Sequence, residues 1–554
     1  MKKEKPSLGN YFKLPNPGLW AYFKHNVSGQ PDDYRPPFWN KMDRSKVLQL
    51  WQDIVDAYDL EGKLPELYSF EQDMKSKVGP MSIQLPLADR IESIEQYYTC
   101  VQDAGEPISK DAILETCKFF SKAGGLRLRS KLEVVSNMRL NTNSGSWLFT
   151  KRRNVVGETL SATLMAYHSD EPVAHIIKHV PHDSFDYTSE DQVIQKWYDL
   201  CAVLGWRGQE GGITDDDVKQ RVVWMMPFLL NIRELQFYQP AIQSFQKNDL
   251  IPAYISMDRV DQEVTALFDT KSNDDLVICT DFTKFDQHFN INLQNAAKEI
   301  IQSLMTKGNV SCQKWLDEIY PIKFNIPLIC SEDLLYTGPH GMGSGSGGTN
   351  FDECLAHKAL QFESALDSHQ TLNPHSMAYG DDGILTYPGI SVDSVIQTYT
   401  KHGLEMNGSK QYVSKHDCVV LRRWHGVNYR VNGTMVGVYS TFRALGRLLA
   451  QERFYDPEKW NAELVTLRAL SILENCKWHP MFHQFIDFVL LGDKYRLGLE
   501  IPGFFDRLES TAKDAIEQFT DFLGYTKNLQ EDAKQSTTGI NDWEVVKYLK
   551  TLRN

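Results

Sequence analysis

Two pairs of aspartates are the residues of this chain most suited to chemistry. Asp381 and Asp382 are adjacent in the run Tyr379-Gly380-Asp381-Asp382, and Asp281 and Asp286 precede them in the chain. Adjacent carboxylates repel each other, so a fold that gathers several of them usually needs a cation there. Mg²⁺ takes oxygen ligands and is often bound by one or two carboxylates together with substrate phosphates. Two such ions can stabilise the attacking and leaving oxygens of a phosphoryl transfer, so these residues predict a nucleotidyl transferase.

Local patterns place these carboxylates at the ends of strands. Residues 276–280 form a short apolar run that is typical of a buried strand, which puts Asp281 at the exit of that strand. Residues 377–379 and 383–387 flank a Gly-Asp-Asp-Gly tip, which predicts a hairpin. Asp381 and Asp382 would then approach Asp281 across one sheet. The alternative is a surface turn, because Asp and Gly are also common turn residues.

A loop rich in glycine and serine, residues 341–350, lies between the two aspartate pairs. Apolar residues follow it on one helical face, at Phe351, Leu355, Ala359, Phe362 and Leu366. Such a loop at the start of a helix lets backbone N–H groups approach an anion or a ribose closely. The alternative is a flexible linker, but linkers seldom lead straight into a periodic helix.

Lys219 and Arg221 are two residues apart in the run 219–224, which ends in the apolar residues Val222, Val223 and Trp224. This spacing places both cations on one side of a strand, while Val222 and Trp224 anchor the other side. Cations held in this way can neutralise a triphosphate, and arginine adds a planar fork that suits phosphate oxygens. The alternative is an edge strand with two solvated charges.

Taken in order, these segments resemble the palm of viral RNA-dependent RNA polymerases. Asp281-x4-Asp286 resembles motif A of that family, Ser344-Gly345-x3-Thr349 resembles motif B, and Tyr379-Gly380-Asp381-Asp382 resembles motif C.

The likeness continues on both sides of these motifs. Residues 403–410 resemble motif D, residues 420–424 resemble motif E, and residues 219–224 resemble the basic motif F. The run from Asp281 to Asp286 and the chain length are most similar to those of picobirnavirus polymerases, with partitiviruses next.

The resemblance implies a role for each matching residue. Asp281 and Asp381 would hold two Mg²⁺ ions, for which Mn²⁺ could substitute, with Asp382 as an auxiliary ligand. Lys410 matches the family's candidate general acid, which would protonate the leaving pyrophosphate; the alternative is a solvated surface lysine. Asp286 would accept a hydrogen bond from the ribose 2′-hydroxyl. The nucleotide-binding residues would be Lys219, Arg221, Asp286, Ser344, Gly345, Thr349 and Asn350.

One position departs from the family pattern. Four residues after Thr349, where the family usually has an asparagine that helps to read the 2′-hydroxyl, this chain has Glu353. The nearest asparagine is Asn350. Either Asn350 takes over this function or Glu353 does different work, and the partner of Asp286 is left open.

The formal net charge of −13 is unexpected for a protein that binds RNA. Residues 122–153, however, carry eight basic residues against one acid, which is typical of a groove that follows a phosphate backbone. The candidate RNA-binding residues are Arg127, Arg129, Lys131, Lys151, Arg152, Arg153, Arg422 and Arg423. For Arg422 and Arg423, which precede an aromatic residue, the alternative is a structural role in packing.

The resemblance implies an α+β fold in the form of a right hand, with fingers, a palm made of an antiparallel sheet backed by helices, and a mainly helical thumb. We assign residues 1–250 to an N-terminal extension and the fingers, and residues 251–440 to the palm, with a finger insertion at 290–340. Residues 441–554 would form the thumb and a C-terminal segment. A chain of 554 residues is long enough for about three or four domain-sized units.

The predicted function is that of an RNA-directed RNA polymerase. It would replicate and transcribe a viral RNA genome, expected to be double-stranded and segmented, by two-metal nucleotidyl transfer. A reverse transcriptase is an alternative, but Gly380 and Asp286 favour RNA synthesis. A noncatalytic viral RNA-binding protein would explain the basic segment but not the carboxylates. The expected partners are template and nascent RNA, nucleoside triphosphates and a viral capsid protein.

The cysteines and the apolar runs bear on the compartment. Nine cysteines are scattered without a Cys-x-x-Cys pair, which argues against a zinc site or a disulfide framework and favours a reducing compartment. No stretch reaches the roughly 18 apolar residues that span a bilayer, so no membrane partner is expected. We expect the protein in the virion interior or in the cytoplasm of the host cell.

Overall fold

The structure is a computed structural model that describes residues 2–4, 17–146, 148–165, 175–177, 201–332, 334–518 and 539–553. Its helices are α1 (Pro17–Ser28), α2 (Arg44–Ala57), α3 (Leu60–Lys63), α4 (Pro65–Ser76), α5 (Leu87–Thr99), α6 (Lys110–Phe119), α7 (Lys131–Ser136), α8 (Val156–Ser161), α9 (Phe228–Lys247), α10 (Met257–Thr270), α11 (Phe285–His288), α12 (Ile291–Leu304), α13 (Val310–Glu318), α14 (Thr349–Asp367), α15 (Val392–Thr400), α16 (Thr441–Leu449), α17 (Ala462–Glu474), α18 (Phe482–Gly492), α19 (Leu508–Gln518) and α20 (Glu544–Thr551).

The strands are β1 (Lys2–Glu4), β2 (Thr163–Met165), β3 (His175–Ile177), β4 (Ala202–Gln209), β5 (Lys219–Met225), β6 (Val277–Thr280), β7 (Leu328–Ser331), β8 (Leu334–Thr337), β9 (Met377–Tyr379), β10 (Asp382–Leu385), β11 (Tyr412–Ser414), β12 (Asp417–Val420), β13 (Arg423–Gly426), β14 (Arg430–Val431), β15 (Thr434–Met435) and β16 (Val438–Tyr439).

A four-stranded antiparallel sheet, in the order β11-β6-β10-β9, carries the acidic residues. All four residues of β6 are buried, as expected for a strand that is covered on both faces. β10 pairs with β6 so that Gly383 lies opposite Thr280, and with β9 so that Asp382 lies opposite Tyr379. The buried strand and the hairpin that the sequence predicts are therefore confirmed.

Helices pack on this sheet. α14 begins directly after the glycine-rich loop and contacts α6, α12, α15 and β9. Most of its residues are buried, including polar ones such as Asp352 and His357, so it is a core helix of the sheet layer. Ser391 caps the N-terminus of α15, and its side chain accepts a hydrogen bond from the N–H of Ser394.

A five-stranded sheet, in the order β1-β8-β7-β4-β5, forms a second layer. β4 and β5 are antiparallel from Val203 opposite Met225 to Gln209 opposite Lys219. β7 and β8, from the predicted insertion 290–340, join this sheet next to β4. The insertion therefore shares a sheet with strands that we assign to the fingers.

Buried apolar residues form two large clusters. One extends through both sheets and their helices, from Leu87 to Met435. The other joins residues 38–78 to residues 424–549. Trp51 lies in this second core: its ring packs against two phenylalanines of α18, and its Nε1 donates to Oγ1 of Thr441 at 2.9 Å.

The segment from residue 441 onward is mainly helical among its described residues, from α16 to α20, as the sequence predicts. It shares its core with α2 and α4 from the opposite end of the chain. The division into fingers, palm and thumb at the stated bounds stays a prediction, since one hydrophobic core joins the two terminal ranges.

None of the described helices has the length and apolar character to cross a bilayer.

Candidate active site

Strand pairing brings the predicted metal-binding aspartates together. Asp281 follows β6 and Asp382 begins β10, and these strands are neighbours in the sheet. Burial raises the pKa of the Asp281 carboxyl, and repulsion from Asp381 raises it further. Burial and then repulsion from Asp381 raise the pKa of Asp382 to about 7. A bound cation would relieve this mutual repulsion.

Two glycines allow the hairpin to take this position. Gly380 has a φ of +61° in the two-residue turn between β9 and β10, a left-handed conformation that glycine adopts without strain. A Cβ at Gly383 would lie 2.4 Å from Cε1 of His357. Nδ1 of His357 is 2.9 Å from the carbonyl oxygen of Gly380. α14 therefore fixes the hairpin through His357, a residue that the sequence analysis missed.

The donor set fits a metal site that substrate completes. Among the described residues, no three or more His, Cys, Asp or Glu side chains form a ready-made metal-binding group. Mg²⁺ sites of phosphate-processing enzymes use one or two carboxylates plus substrate phosphates, so a preformed cage is not required. Asp281 and Asp381 are both exposed and could supply these carboxylates, with Asp382 beside them. Donors that are all oxygen favour Mg²⁺ or Mn²⁺.

Gln411 fixes the backbone of Asp281. Its side-chain amide donates to the carbonyl oxygen of Asp281 at 2.8 Å, and its Oε1 accepts from the N–H of Asp281 at 2.9 Å. These two hydrogen bonds lie just beyond the paired residues of β11 and β6, and they fix the backbone at the point where β6 ends. Gln411 directly follows the predicted motif D segment, residues 403–410, and was not among the predicted site residues.

Lys410 ends a short 3₁₀ turn, Gly408–Lys410, and its side chain is exposed. Burial and repulsion from Asp381 raise the pKa of Asp281, and the positive charge of Lys410 partly offsets this rise. Lys410 is therefore close enough to act on the carboxylates electrostatically. Its role as general acid stays a prediction.

Glu353 is the residue that partners Asp286. Asp286 lies on α11, and its carboxyl is in hydrogen-bond contact with that of Glu353 on α14. Burial and then repulsion from Asp286 raise the pKa of Glu353 well above its usual value, and burial also raises the pKa of Asp286, so the pair favours binding of a proton. Oε1 of Glu353 is buried and has no hydrogen-bond partner among the described residues.

Asn350 is engaged elsewhere. Its Oδ1 accepts a hydrogen bond from the hydroxyl of Tyr254 at 3.0 Å. A Cβ at Gly380 would lie 3.2 Å from Nδ2 of Asn350, so this side chain packs beneath the hairpin turn. Of the two residues that the sequence left open, the structure therefore places Glu353 beside Asp286.

The glycine-rich loop is tied to the neighbouring elements. The hydroxyl of Ser344 accepts from the N–H of Trp224 at 3.3 Å, and a Cβ at Gly345 would lie 1.7 Å from the carbonyl oxygen of Trp224. Thr349 Oγ1 donates to the carbonyl oxygen of Gly343 at 2.9 Å. Ser346 donates to Glu234. These contacts exclude the flexible-linker alternative.

β5 presents its two cations on one face. Lys219 and Arg221 are exposed, whereas Val222 and Trp224 are buried, as the alternation predicts. The charge of Arg221 acts on Asp286, and the charge of Lys219 acts on Asp281. The two cations therefore face different parts of the site.

The basic segment is only partly available to RNA. Arg127, Lys151 and Arg153 are exposed. Three others are bonded to the protein: Arg129 donates to Gln239 at 3.2 Å, Lys131 to the carbonyl oxygen of Leu160 at 3.0 Å, and Arg152 to Asn231 at 2.7 Å. Contact of these residues with RNA stays a prediction, and it is better supported for the first three.

Arg422 and Arg423 are adjacent but differ in position. Arg422 is exposed in the β12–β13 turn. Arg423 is buried and donates to both carboxylate oxygens of Asp261, at 2.8 and 3.0 Å. Asp261 also contacts Nε2 of His425 at 2.9 Å. Burial alone would raise the pKa of Asp261, but Arg423 and His425 outweigh burial and lower that pKa to about 2. We therefore no longer expect Arg423 to bind RNA, because its guanidinium is already paired in the interior.

Comparison with known proteins agrees with this site. Residues 212–477, which include the aspartates and β5, match the family model described as viral RNA-dependent RNA polymerase. The chain is 49% identical over 546 residues to a "potential RNA-dependent RNA polymerase" of Human picobirnavirus (strain Human/Thailand/Hy005102/-), covering 98% of both chains.

Two crystal structures of the RNA-dependent RNA polymerase of a human picobirnavirus are similar over 99% of both chains. One has a TM-score of 0.89 at 48% identity; the other, an insertion-loop deletion mutant, has a TM-score of 0.88 at 46% identity. The α+β polymerase fold that the sequence predicts is confirmed. The chain thus belongs to the viral RNA-dependent RNA polymerases, among those of the picobirnaviruses.

Proposed function

We propose that this RNA-directed RNA polymerase joins nucleotides by two-metal nucleotidyl transfer at Asp281, Asp381 and Asp382. The observation that carries the proposal is the antiparallel pairing of β6 and β10, which places these carboxylates together at one end of the sheet. When bound, two Mg²⁺ ions would act as Lewis acids on the attacking 3′-hydroxyl and the leaving pyrophosphate.

The side chains around the aspartates would position the nucleotide. Arg221 and Lys219 would hold the triphosphate, since both are exposed next to the carboxylates. Lys410, on the opposite side of Asp281 from the hairpin, would donate a proton to the pyrophosphate as the bond between the α-phosphorus and the bridging oxygen breaks. The nucleotide site would be lined by the backbone N–H groups of Ser344 and Gly345 in the glycine-rich loop, with Thr349 and Asn350 behind them.

Ribose selection would depend on the carboxyl pair. With its proton on Glu353, the pair leaves Asp286 as an acceptor for the 2′-hydroxyl, and the unpartnered Oε1 of Glu353 lies beside it. A deoxyribose lacks this donor and would leave a buried acceptor unpaired, which costs binding energy.

The biological setting follows from similarity to the picobirnavirus polymerase. The enzyme would replicate and transcribe a viral genome, expected to be double-stranded and segmented, in the virion interior or the host cytoplasm. The exposed cations Arg127, Lys151, Arg153 and Arg422 would contact template or nascent RNA. A viral capsid protein is a further proposed partner.

The test is nucleotide incorporation by Asp381→Ala. Purified protein is given a short RNA template, Mg²⁺ and ribonucleotides, and RNA binding is measured in parallel. We expect template-dependent product to be lost while RNA affinity is largely kept, because RNA is held by cations outside the hairpin.

Asp274→Ala is the matched control, because this aspartate lies just before β6 and its side chain is 97% exposed. It should retain synthesis. Incorporation by Asp381→Ala, in a preparation free of other polymerases, would refute the catalytic assignment.

A further inference from the structure

Two buried polar side chains on α9 have no role in the site described so far. Asn231 and Glu234 are only 4% and 1% exposed. With Leu235 and Tyr238 they occupy positions i, i+3, i+4 and i+7, which is one face of the helix. This face packs on the glycine-rich loop, where a Cβ at Gly348 would lie only 2.0 Å from the ring of Tyr238. The start of α9 is therefore the support on which the loop rests.

The carboxyl of Glu234 is bonded to the loop itself. It accepts hydrogen bonds from the hydroxyl of Ser346 and from the N–H of Gly347, the latter at 3.3 Å. Among the described residues no cation forms an ion pair with Glu234; the nearby Lys323 pairs with Asp352. Burial raises the pKa of Glu234, and Lys323 and the two loop donors partly offset that rise. A buried polar group is costly without its partners, so the carboxyl and the loop hold each other in place.

Asn231 connects the loop to the basic segment, residues 122–153. Its Nδ2 donates to the carbonyl oxygen of Gly345 at 3.1 Å and to Oε1 of Glu234 at 3.3 Å. Its Oδ1 accepts a hydrogen bond from Nη2 of Arg152 at 2.7 Å. Both ends of one side-chain amide are therefore engaged, one by the glycine-rich loop and the other by the basic segment.

Arg152 has no anionic partner among the residues that the structure describes. Its Nε is buried without a hydrogen-bond partner there, and its guanidinium lies 5.2 Å from the centre of the Phe228 ring. Burial lowers the pKa of Arg152 to about 10. Its neighbours Lys151 and Arg153 are exposed. An RNA phosphate bound by these two neighbours would bring Arg152 the counter-ion that the protein does not supply.

The basic segment and the loop also meet along the backbone, at the junction of β5 and α9. The N–H of Phe228 donates to the carbonyl oxygen of Ser144 at 2.9 Å on one side of this junction. On the other side, a Cβ at Gly345 would lie 1.7 Å from the carbonyl oxygen of Trp224. The junction lies directly between the two segments, so a displacement of one is passed to the other through few atoms.

We propose that Asn231 and Glu234 are positioning residues for the incoming nucleotide, and that Arg152 couples them to RNA bound at the basic segment. The inference rests on the proposed function in taking the N–H groups of the glycine-rich loop as part of the nucleotide site. An RNA phosphate beside Arg152 would fix its guanidinium, and through the Asn231 amide it would fix the loop before the nucleotide arrives. Because such coupling is reciprocal, a bound nucleotide would also strengthen the binding of RNA.

The first experiment measures amide hydrogen exchange of the loop, residues 341–350, in the full-length protein. Exchange is followed in EDTA without nucleotides, with and without a saturating single-stranded RNA. RNA should slow exchange of the loop in the parent protein. In Arg152→Met and in Asn231→Ala, saturating RNA should no longer slow it, because the connection is cut. Equal slowing in the parent and both variants, or none in the parent, would refute the coupling.

Gln239→Ala is the matched control. Gln239 lies on the same helix, but its Nε2 donates to the carbonyl oxygen of Val134 at 3.0 Å, away from the loop. This variant also removes a polar bond of α9, and the loop should still respond to RNA as in the parent protein. Loss of the response here as well would trace the effect to general loosening of α9 and overturn the role of Asn231.

Positioning of the nucleotide is tested by single-nucleotide incorporation at saturating RNA. Glu234→Ala should raise the KM of the nucleotide about tenfold, the effect of one strong polar contact, and change kcat much less. Glu234→Gln keeps an oxygen acceptor for the loop and should recover most of the loss. An unchanged KM in Glu234→Ala, or a variant Glu234→Gln as impaired as Glu234→Ala, would contradict the positioning role.

The double variant separates one connection from two. Arg152→Met and Asn231→Ala interrupt the same route, so their effects on the nucleotide KM should not add. Additive effects would refute the coupling through Asn231. Hydrogen exchange in EDTA does not depend on catalysis, so a loop that responds to RNA in an enzyme without activity would refute the proposed mechanism alone.

Discussion

Glu353 shows how a single residue can change the chemistry of a shared site. Viral polymerases of this family usually have an asparagine at this position, which offers a neutral amide to motif A. Here a carboxyl contacts Asp286, and burial together with that neighbour keeps it protonated. A protonated carboxyl is neutral and has one donor, so it can replace the amide as the partner of Asp286.

This arrangement makes a prediction about ribose choice. Asp286→Ala and Glu353→Ala should each reduce the preference for a ribonucleotide over its deoxy analogue. Expressed as a free energy from the ratio of the two kcat/KM values, the preference should fall by about 1–3 kcal/mol, because each variant removes or misplaces one polar contact. Glu353→Gln should largely keep the preference, since an amide also donates to Asp286.

Single-nucleotide incorporation kinetics measure these ratios. An unchanged ratio in Asp286→Ala would rule out ribose reading at this position. A loss in Glu353→Gln as large as in Glu353→Ala would show that the ionisable carboxyl itself is needed.

Residue types and spacing identified the aspartates, the glycine-rich loop and the two cations of β5, because each has a local pattern with a chemical reason. The same reasoning could not choose between Asn350 and Glu353. That choice depends on which side chain of α14 faces α11, and it is fixed by tertiary packing. Gln411 and His357 were missed because a lone polar residue carries no pattern of its own.

At the scale of elements, the β12–β13 hairpin separates two adjacent arginines. Its turn exposes Arg422 to solvent, whereas β13 carries Arg423 into the interior beside Asp261. Arg422 has a φ of +57° in the turn, whereas Arg423 begins the strand, so these neighbours in sequence reach different surroundings. The sequence showed two arginines before a tryptophan, but not that the first lies in the turn and the second in the strand.

These positions predict effects of very different size for the same substitution. Arg423→Met should lower the free energy of unfolding by about 3–5 kcal/mol, because it leaves the buried Asp261 without its main partner. Arg422→Met should change it by no more than about 0.5 kcal/mol, as is usual for exposed positions.

Urea unfolding followed by tryptophan fluorescence would compare the two variants. Similar losses of stability in both would contradict the pairing of Arg423 with Asp261.

At the scale of the whole molecule, the shared core of residues 38–78 and 424–549 is the feature that sequence reasoning did not anticipate. The C-terminal helices were expected from the mainly helical thumb that the family resemblance implies, whereas α2 was not predicted. Which pattern packs against which is set by the complete fold, since any amphipathic helix can cover any apolar surface. The α+β class was predictable because the palm motifs fix the order of strands and helices.

Trp51→Ala should destabilise the N-terminal and C-terminal parts of the shared core together. Loss of a buried tryptophan costs about 3–5 kcal/mol, and the hydrogen bond to Thr441 is lost with it. Amide hydrogen exchange should therefore rise in α2 and in α16. Leu50→Ala, on the same helix but 40% exposed, is the control and should change neither. Faster exchange in α2 alone would argue against one cooperative unit.

The joining of the two ends also has a consequence for synthesis on the ribosome. Trp51 and its partner Thr441 are 390 residues apart. At a translation rate of roughly 5–20 residues per second, the N-terminal helices wait about 20–80 s for the surface that covers them. During that interval their apolar faces are open to chaperones or to other nascent chains. A translation product that stops before residue 424 would lack this partner surface altogether, and its N-terminal helices would keep their apolar faces exposed.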